Sequence, residues 1–201
     1  MEKIYIKLEK ELSRNGFVPI FFEDVGQAKE YILKHIEKDE SVGIGGSTTI
    51  EELQIYDVLK ERGNPVYWHW KSENKKQELE YARDAQVYLA SANALTFDGK
   101  IVNMDGTGNR VSSIIHGHER VYIIVGKNKL CKDYNEAIER IKNIAAPKNA
   151  KRLDTDTPCK FTGKCNDCNS PDRMCSVETI LHRNPTGTQI YVCLIDKELG
   201  Y

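Results

Sequence analysis

The chain has 201 residues, enough for one substantial core with a small appendage, and six of them are cysteine. Its charges are plentiful but balanced at a net −1, which excludes a general electrostatic attraction to nucleic acid or an acidic membrane surface. The N-terminal stretch alternates charged and apolar residues and no run is long enough to cross a bilayer, so a soluble cytoplasmic protein with mostly reduced cysteines is expected.

Taken in order, Ile4, Leu8 and Leu12 recur every four residues and stop before Gly16, which predicts an amphipathic helix over 3–15. Phe17 to Phe22 reads as extended. Asp24 caps a second helix bearing Val25, Ala28, Ile32, Leu33 and Ile36, and a strand at 41–45 runs into Gly43-Ile44-Gly45-Gly46-Ser47-Thr48-Thr49. Thr48 with Glu51, or Thr49 with Glu52, matches a capping box, and one helix is expected from there to Gly63. Pro65 to Trp70 predicts a strand, 72–84 an exposed helix and Gln86 to Ala90 another strand.

The Asp98-Gly99 pair between alternating apolar segments predicts a hairpin over Asn93 to Asn103 that decorates the main sheet. A second glycine-rich turn, Asp105-Gly106-Thr107-Gly108-Asn109-Arg110, leads into a helix from Val111 to Ile115. Arg120 to Gly126 has the unbroken apolar character of a buried parallel strand, followed by Lys127, Asn128 and Lys129. A helix opens at Asp133 and is expected to end at Ala146-Pro147. Residues 154–176 show no period at all, and a short helix at 177–183 with a strand from Gln189 to Ile195 closes the chain. The alternation predicts an α/β fold whose ligand lies beyond the carboxyl ends of parallel strands, where 43–49, 105–110 and 127–129 would meet.

Close backbone approach at the glycines suits an oxyanion. Gly45, Gly46, Ser47, Thr48, Thr49, Gly106, Thr107, Gly108, Asn109 and Arg110 are therefore candidate anion contacts, with Lys127 or Lys129 to neutralise charge. No Lys-Ser or Lys-Thr follows the glycines, which argues against a nucleoside triphosphate loop, and the spacing is not that of a dinucleotide fingerprint. Asp98 and Asp105 are candidate proton carriers, although Asp98 also suits a plain tight turn. Cys159, Cys165, Cys168 and Cys175 crowd a segment that lacks the apolar content to order itself, which points to metal ligation by four thiolates, as zinc or as an iron–sulfur cluster. Cys131 and Cys193 read as buried structural residues.

The signatures GIGGSTTIEEL, NALTFDGKIVNMDGTGNRV, VGKNKL and NIAAPKNAKRL, with TPCKFTGKCNDC and SPDRMC, resemble those of the LUD-domain family of lactate-utilisation-type proteins. The resemblance covers all but the first forty or so residues. It implies a Rossmann-like three-layer α/β/α fold with a mainly parallel sheet, akin to ribose-5-phosphate isomerase, glucosamine-6-phosphate deaminase and the CoA transferases. An LUD α/β domain would span 1–153, a Cys-rich metal segment 154–176, and a helix and strand at 177–201 would complete the domain. The resemblance maps a phosphate loop onto Gly45 to Thr49 and catalytic candidates onto Asp98, Asp105 and Lys127. It further implies a small anionic metabolite, redox partner proteins and a role in organic-acid oxidation, and it favours a [4Fe–4S] cluster over zinc. Whether the chain is itself an enzyme stays open: a non-catalytic assembly subunit and a sugar-phosphate isomerase are the alternatives.

Overall fold

The structure is a computed structural model that describes residues 3–201. Six strands, β1 (Val18–Phe22), β2 (Val42–Ile44), β3 (Val66–Tyr67), β4 (Val87–Ala90), β7 (Arg120–Gly126) and β10 (Gln189–Ile195), form one wholly parallel sheet in the order β1-β10-β7-β4-β2-β3. Burial on both faces explains the unbroken apolar runs of β4, β7 and β10. One face packs under α2 (Val25–Lys34), α3 (Thr48–Leu53) and α4 (Ile55–Glu61), with Ile32, Ile50, Leu59 and Trp68 in its core. The other packs against α1 (Lys3–Arg14) and α6 (Asn109–Ile115) through Leu8, Leu12 and Ile114. The expected three-layer α/β/α architecture with a mainly parallel sheet is what the chain adopts.

The predicted hairpin forms as β5 (Ala94–Thr96) and β6 (Ile101–Asp105), with Gly99 at φ +77° in the turn. It does not extend the main sheet. It joins a second sheet, β8-β5-β6-β9, with β8 (Leu130–Cys131) and β9 (Val177–Leu181), and this sheet has its own small core of Ala94, Val102, Cys131, Ala137 and Ile141. The expected helix at 177–183 is therefore a strand. Val177, Thr179 and Ile180 are β-branched, and β9 runs antiparallel to β6 with Asp105 opposite Val177.

Other departures are local. Ser47, not Thr48 or Thr49, caps α3, accepting from the Ile50 N–H, so no capping box forms. Gln54 takes a left-handed conformation (φ 51°) that divides the expected single helix into α3 and α4. The strand predicted to Trp70 ends at Tyr67, and His69–Lys71 form one 3-10 turn. Beyond α5 (Lys75–Arg83), the helix expected to stop at Ala146-Pro147 continues: α7 (Tyr134–Arg140) passes through a π turn (Ile141–Ala145) into α8 (Ala146–Leu153). Pro147 lies in the first turn of α8, and the widened turn lets the Ala146 N–H reach Ile141, so the missing proline donor breaks nothing. Within the Cys-rich segment only α9 (Pro158–Thr162) is regular between α8 and β9. No described helix is long and apolar enough to cross a membrane.

Candidate functional site

A cavity of about 320 Å³ opens beyond the carboxyl ends of β2, β4 and β7, at the seam with the second sheet. Gly46, Ser47 and Thr48 come from the first glycine turn, Asp105, Gly106, Thr107, Asn109 and Arg110 from the second, and Ser91 from the residue after β4. The two turns thus share one wall. Gly45 lies just behind it, where a side chain would meet the Tyr88 hydroxyl at 3.0 Å and the Arg110 side chain at 3.1 Å. At Gly46 a Cβ would stand 2.9 Å from the Trp70 indole nitrogen, so the glycine is set by the ring that forms the neighbouring wall. Gly108 supplies the left-handed turn (φ 85°) into α6, and its N–H donates to Asp105 Oδ1 at 3.2 Å. The other oxygen, Asp105 Oδ2, is buried without a hydrogen-bond partner and lies 3.7 Å from Arg110 Nε.

Arg110 is buried, and its guanidinium is committed to protein acceptors. Nη1 donates to the Ser91 carbonyl (2.8 Å) and Asn103 Oδ1 (2.6 Å), and Nη2 to Asn93 Oδ1 (3.0 Å) and the Met104 carbonyl (2.9 Å). Those four bonds tie the end of β4 to β5 and β6, so Arg110 fastens the two sheets together and has no spare fork for a ligand carboxylate.

The lysine at the cavity is Lys129. Residues Lys127–Lys129 form a 3-10 turn, whose roughly three residues per turn send positions two apart to different sides. Lys127 turns outward to Asp196 (3.1 Å), whereas Lys129 turns inward, only 3 % exposed. Its Nζ donates to Thr49 Oγ1 at 2.7 Å and Ser91 Oγ at 2.9 Å. Both hydroxyls direct their own protons elsewhere, Ser91 to the Ile124 carbonyl (2.6 Å) and Thr49 to the Leu199 carbonyl (3.5 Å), which leaves lone pairs for the lysine. Burial, with the positive charges of Arg140 and Arg110 and only Glu52 opposing, pulls the amine down to about 7. Thr49 does not itself border the cavity; it acts through Lys129.

Asp98 lies away from the cavity in the hairpin turn, accepting from Thr96 Oγ1 and paired with Lys100 at 2.7 Å. The opposite wall was not legible in the sequence. Trp70 stacks on Trp68, the Arg152 guanidinium lies 4.3 Å over the Trp70 ring, and Arg152 donates to the Tyr201 hydroxyl (2.6 Å) and Asn149 (2.8 Å). Among the described residues Arg152 has no carboxylate within ion-pair distance. Only tertiary placement assembles this group. His69 also borders the cavity; its Nδ1 is buried without a partner, and burial, then Lys75, lowers the ring below its usual range.

The Cys-rich segment closes the remaining side, with Met174 and Cys175 at the cavity surface. All six cysteines are free thiols. Cys159 is buried at the start of α9, while Cys165, Cys168 and Cys175 are half-buried. Burial and then the neighbouring Cys165 raise the Cys175 thiol, and Arg173 opposes. Two of the sulfurs have polar neighbours, with the Asp167 N–H donating to Cys165 Sγ and the Thr157 hydroxyl beside Cys159 Sγ, each at 3.4 Å. Among the described residues no three such side chains converge at metal-ligand geometry. Four thiols on one short irregular segment match a four-cysteine group in donor type and number, while the described side chains do not hold its geometry. Cys131, pushed up to about 11 by burial, and the fully buried Cys193 stand apart as core residues.

Comparison with known proteins adds the following. A family model described as the LUD domain matches residues 5–195. Among solved structures, a DUF162 family protein from Deinococcus radiodurans is similar in fold, with a TM-score of 0.53, 11% identity and 96% of each chain covered. A search of curated proteins found no match.

Proposed function

The chain belongs to the LUD-domain family, and on that premise we propose that it binds a small anionic metabolite at the seam cavity and serves organic-acid redox metabolism of the lactate type. The observation that carries this reading is that one cavity is bordered by Lys129, by Arg152 and by Cys175 of the four-thiol segment. Lys129 donates to two hydroxyls and meets no carboxylate, so in its ammonium form it keeps a third N–H for an anion entering the cavity. Arg152 borders the cavity with its guanidinium 4.3 Å from the Trp70 ring centroid and bonded to Tyr201 and Asn149, which hold it in place. The apolar side chains of Ile141, Ala145 and Leu153 line the rest and favour a compact ligand over an extended one.

Cys159, Cys165, Cys168 and Cys175 would hold a [4Fe–4S] cluster. Such a group supplies one-electron transfer, and through Cys175 it would border the metabolite. The test is elemental analysis with visible and electron paramagnetic spectra of anaerobically purified protein, alongside calorimetry with L-lactate. Iron and sulfide in cluster stoichiometry together with lactate binding support the reading; zinc in their place would remove the redox role. Stable complexes with redox proteins but no small-anion binding would favour an assembly subunit.

A further inference from the structure

Nζ of Lys129 has four tetrahedral positions. One is its own Cε and two are N–H groups spent on Thr49 and Ser91, so the fourth has no protein partner among the described residues. In a protonated lysine that position is a third N–H, buried without an acceptor and costing free energy. In a neutral amine it is a lone pair, which needs none. The two hydroxyls are oriented as acceptors by their own bonds to the Ile124 and Leu199 carbonyls, so they hold the amine by its hydrogens and leave the lone pair without a protein partner. Charges from the surrounding elements act the same way: Arg140 from α7 and Arg110 from α6 oppose an ammonium, and Glu52 from α3 favours one more weakly.

We propose that Lys129 is a nucleophile that condenses with a small anionic carbonyl compound of the 2-oxo acid class, forming an imine at the floor of the cavity. The proposal rests on the anion-binding reading and adds covalent chemistry to it. The lone pair of Nζ attacks the carbonyl carbon, a C–N bond forms, and the carbonyl oxygen takes up a proton to give a carbinolamine. The C–O bond then breaks, the oxygen leaves as water carrying the two protons the amine has lost, and nothing is oxidised or reduced. His69 Nδ1, buried without a hydrogen-bond partner, and Asp105 Oδ2, whose one polar neighbour is Arg110 Nε at 3.7 Å, belong to residues bordering the same cavity and are suited to passing those protons. The anionic group of the ligand faces the cationic side of the cavity, where Arg152 retains free N–H groups.

The test uses the intact chain with pyruvate and glyoxylate as probes, cyanoborohydride to trap imines, and peptide mass spectrometry to locate them. Near pH 7 an ordinary lysine is a free amine to only a few parts in ten thousand. Lys129 is expected to trap at least tenfold faster than any other lysine of the chain, with a rate that rises through about pH 7. Added L-lactate, which has no carbonyl to react, should slow that trapping, and Lys129→Arg should abolish the adduct with unchanged circular dichroism. If the variant does not fold, the site-resolved rates on the unmodified chain decide alone. Trapping spread evenly over surface lysines, or absent from Lys129, overturns the proposal. Calorimetry with L-lactate separates the two readings: lactate binding without a Lys129 adduct leaves the anion pocket standing and removes the imine, whereas neither binding nor adduct removes both.

Discussion

Replacing Arg110 with methionine removes the polar fastening between the two sheets and leaves their shared apolar contact, and its cost can be worked from four bonds. The guanidinium donates to Ser91 O, Asn103 Oδ1, Asn93 Oδ1 and Met104 O at 2.6–3.0 Å, all away from bulk water. Hydrogen bonds to a charged group contribute about 1.5–3 kcal/mol each, so the gross loss is roughly 6–12 kcal/mol. Against that stands the cost of burying the guanidinium, several kcal/mol, which methionine does not incur. The expected net destabilisation is about 3–5 kcal/mol, the range typical of removing one partner from a buried charged network. For a chain of this size that lowers Tm by about 6–20 °C. Arg110→Lys keeps the charge but offers at most three donors without the planar fork, and should fall between the two. Urea unfolding followed by circular dichroism measures it. A loss below about 1 kcal/mol for Arg110→Met, with unchanged m, would show that the carbonyls find other partners and that the arginine is not the fastening described here.

Gly46→Val places a branched side chain where even a Cβ stands 2.9 Å from the Trp70 indole nitrogen, so anion binding should be lost; unaltered calorimetric affinity would speak against the cavity. Cys165→Ser should lower the metal content of anaerobically prepared protein while the parallel sheet stays folded, and unchanged stoichiometry by elemental analysis would count against the four-thiol site. Lys129 sits at about 7 in the folded chain and near 10.5 unfolded, so the unfolded state binds more protons between those values and stability should climb with rising pH across that window. The climb is on the order of 5 kcal/mol at one pKa unit per 1.36 kcal/mol, and it should vanish in Lys129→Met, read as urea midpoints at matched pH.

Elements whose cause is local were readable from the residues alone. Asp24 caps α2 by accepting from the Gln27 N–H, and Gly99 turns the hairpin, because each needs only its neighbours in sequence. Where the outcome depends on a distant partner, local signals misled. Residues 177–181 are strand because β6 offers an edge to pair with, and the chain passes Pro147 because the π turn supplies a different donor geometry. The same division runs through the site. Glycines and an Asp-Gly pair mark both turns, whereas Ser91, Trp70, Asn149, Arg152 and Tyr201 come from four separate stretches with nothing in common but their final position. Lys127 and Lys129 flank one asparagine, and only the 3-10 turn decides which of them faces the interior.

The seam location of the cavity has a mechanical consequence. β2 and β6 belong to sheets that share no strand pairing, although Leu95, Ile101 and Leu181 of the smaller sheet pack into the core of the larger one, and the turns that follow β2 and β6 border the same space. A ligand lodged there would add a second tie between the two sheets beside their shared apolar contact, and its affinity would contribute to their cohesion. Occupancy should therefore slow amide exchange in β6 and in β2 together, so that filling one small volume stiffens strands belonging to different sheets.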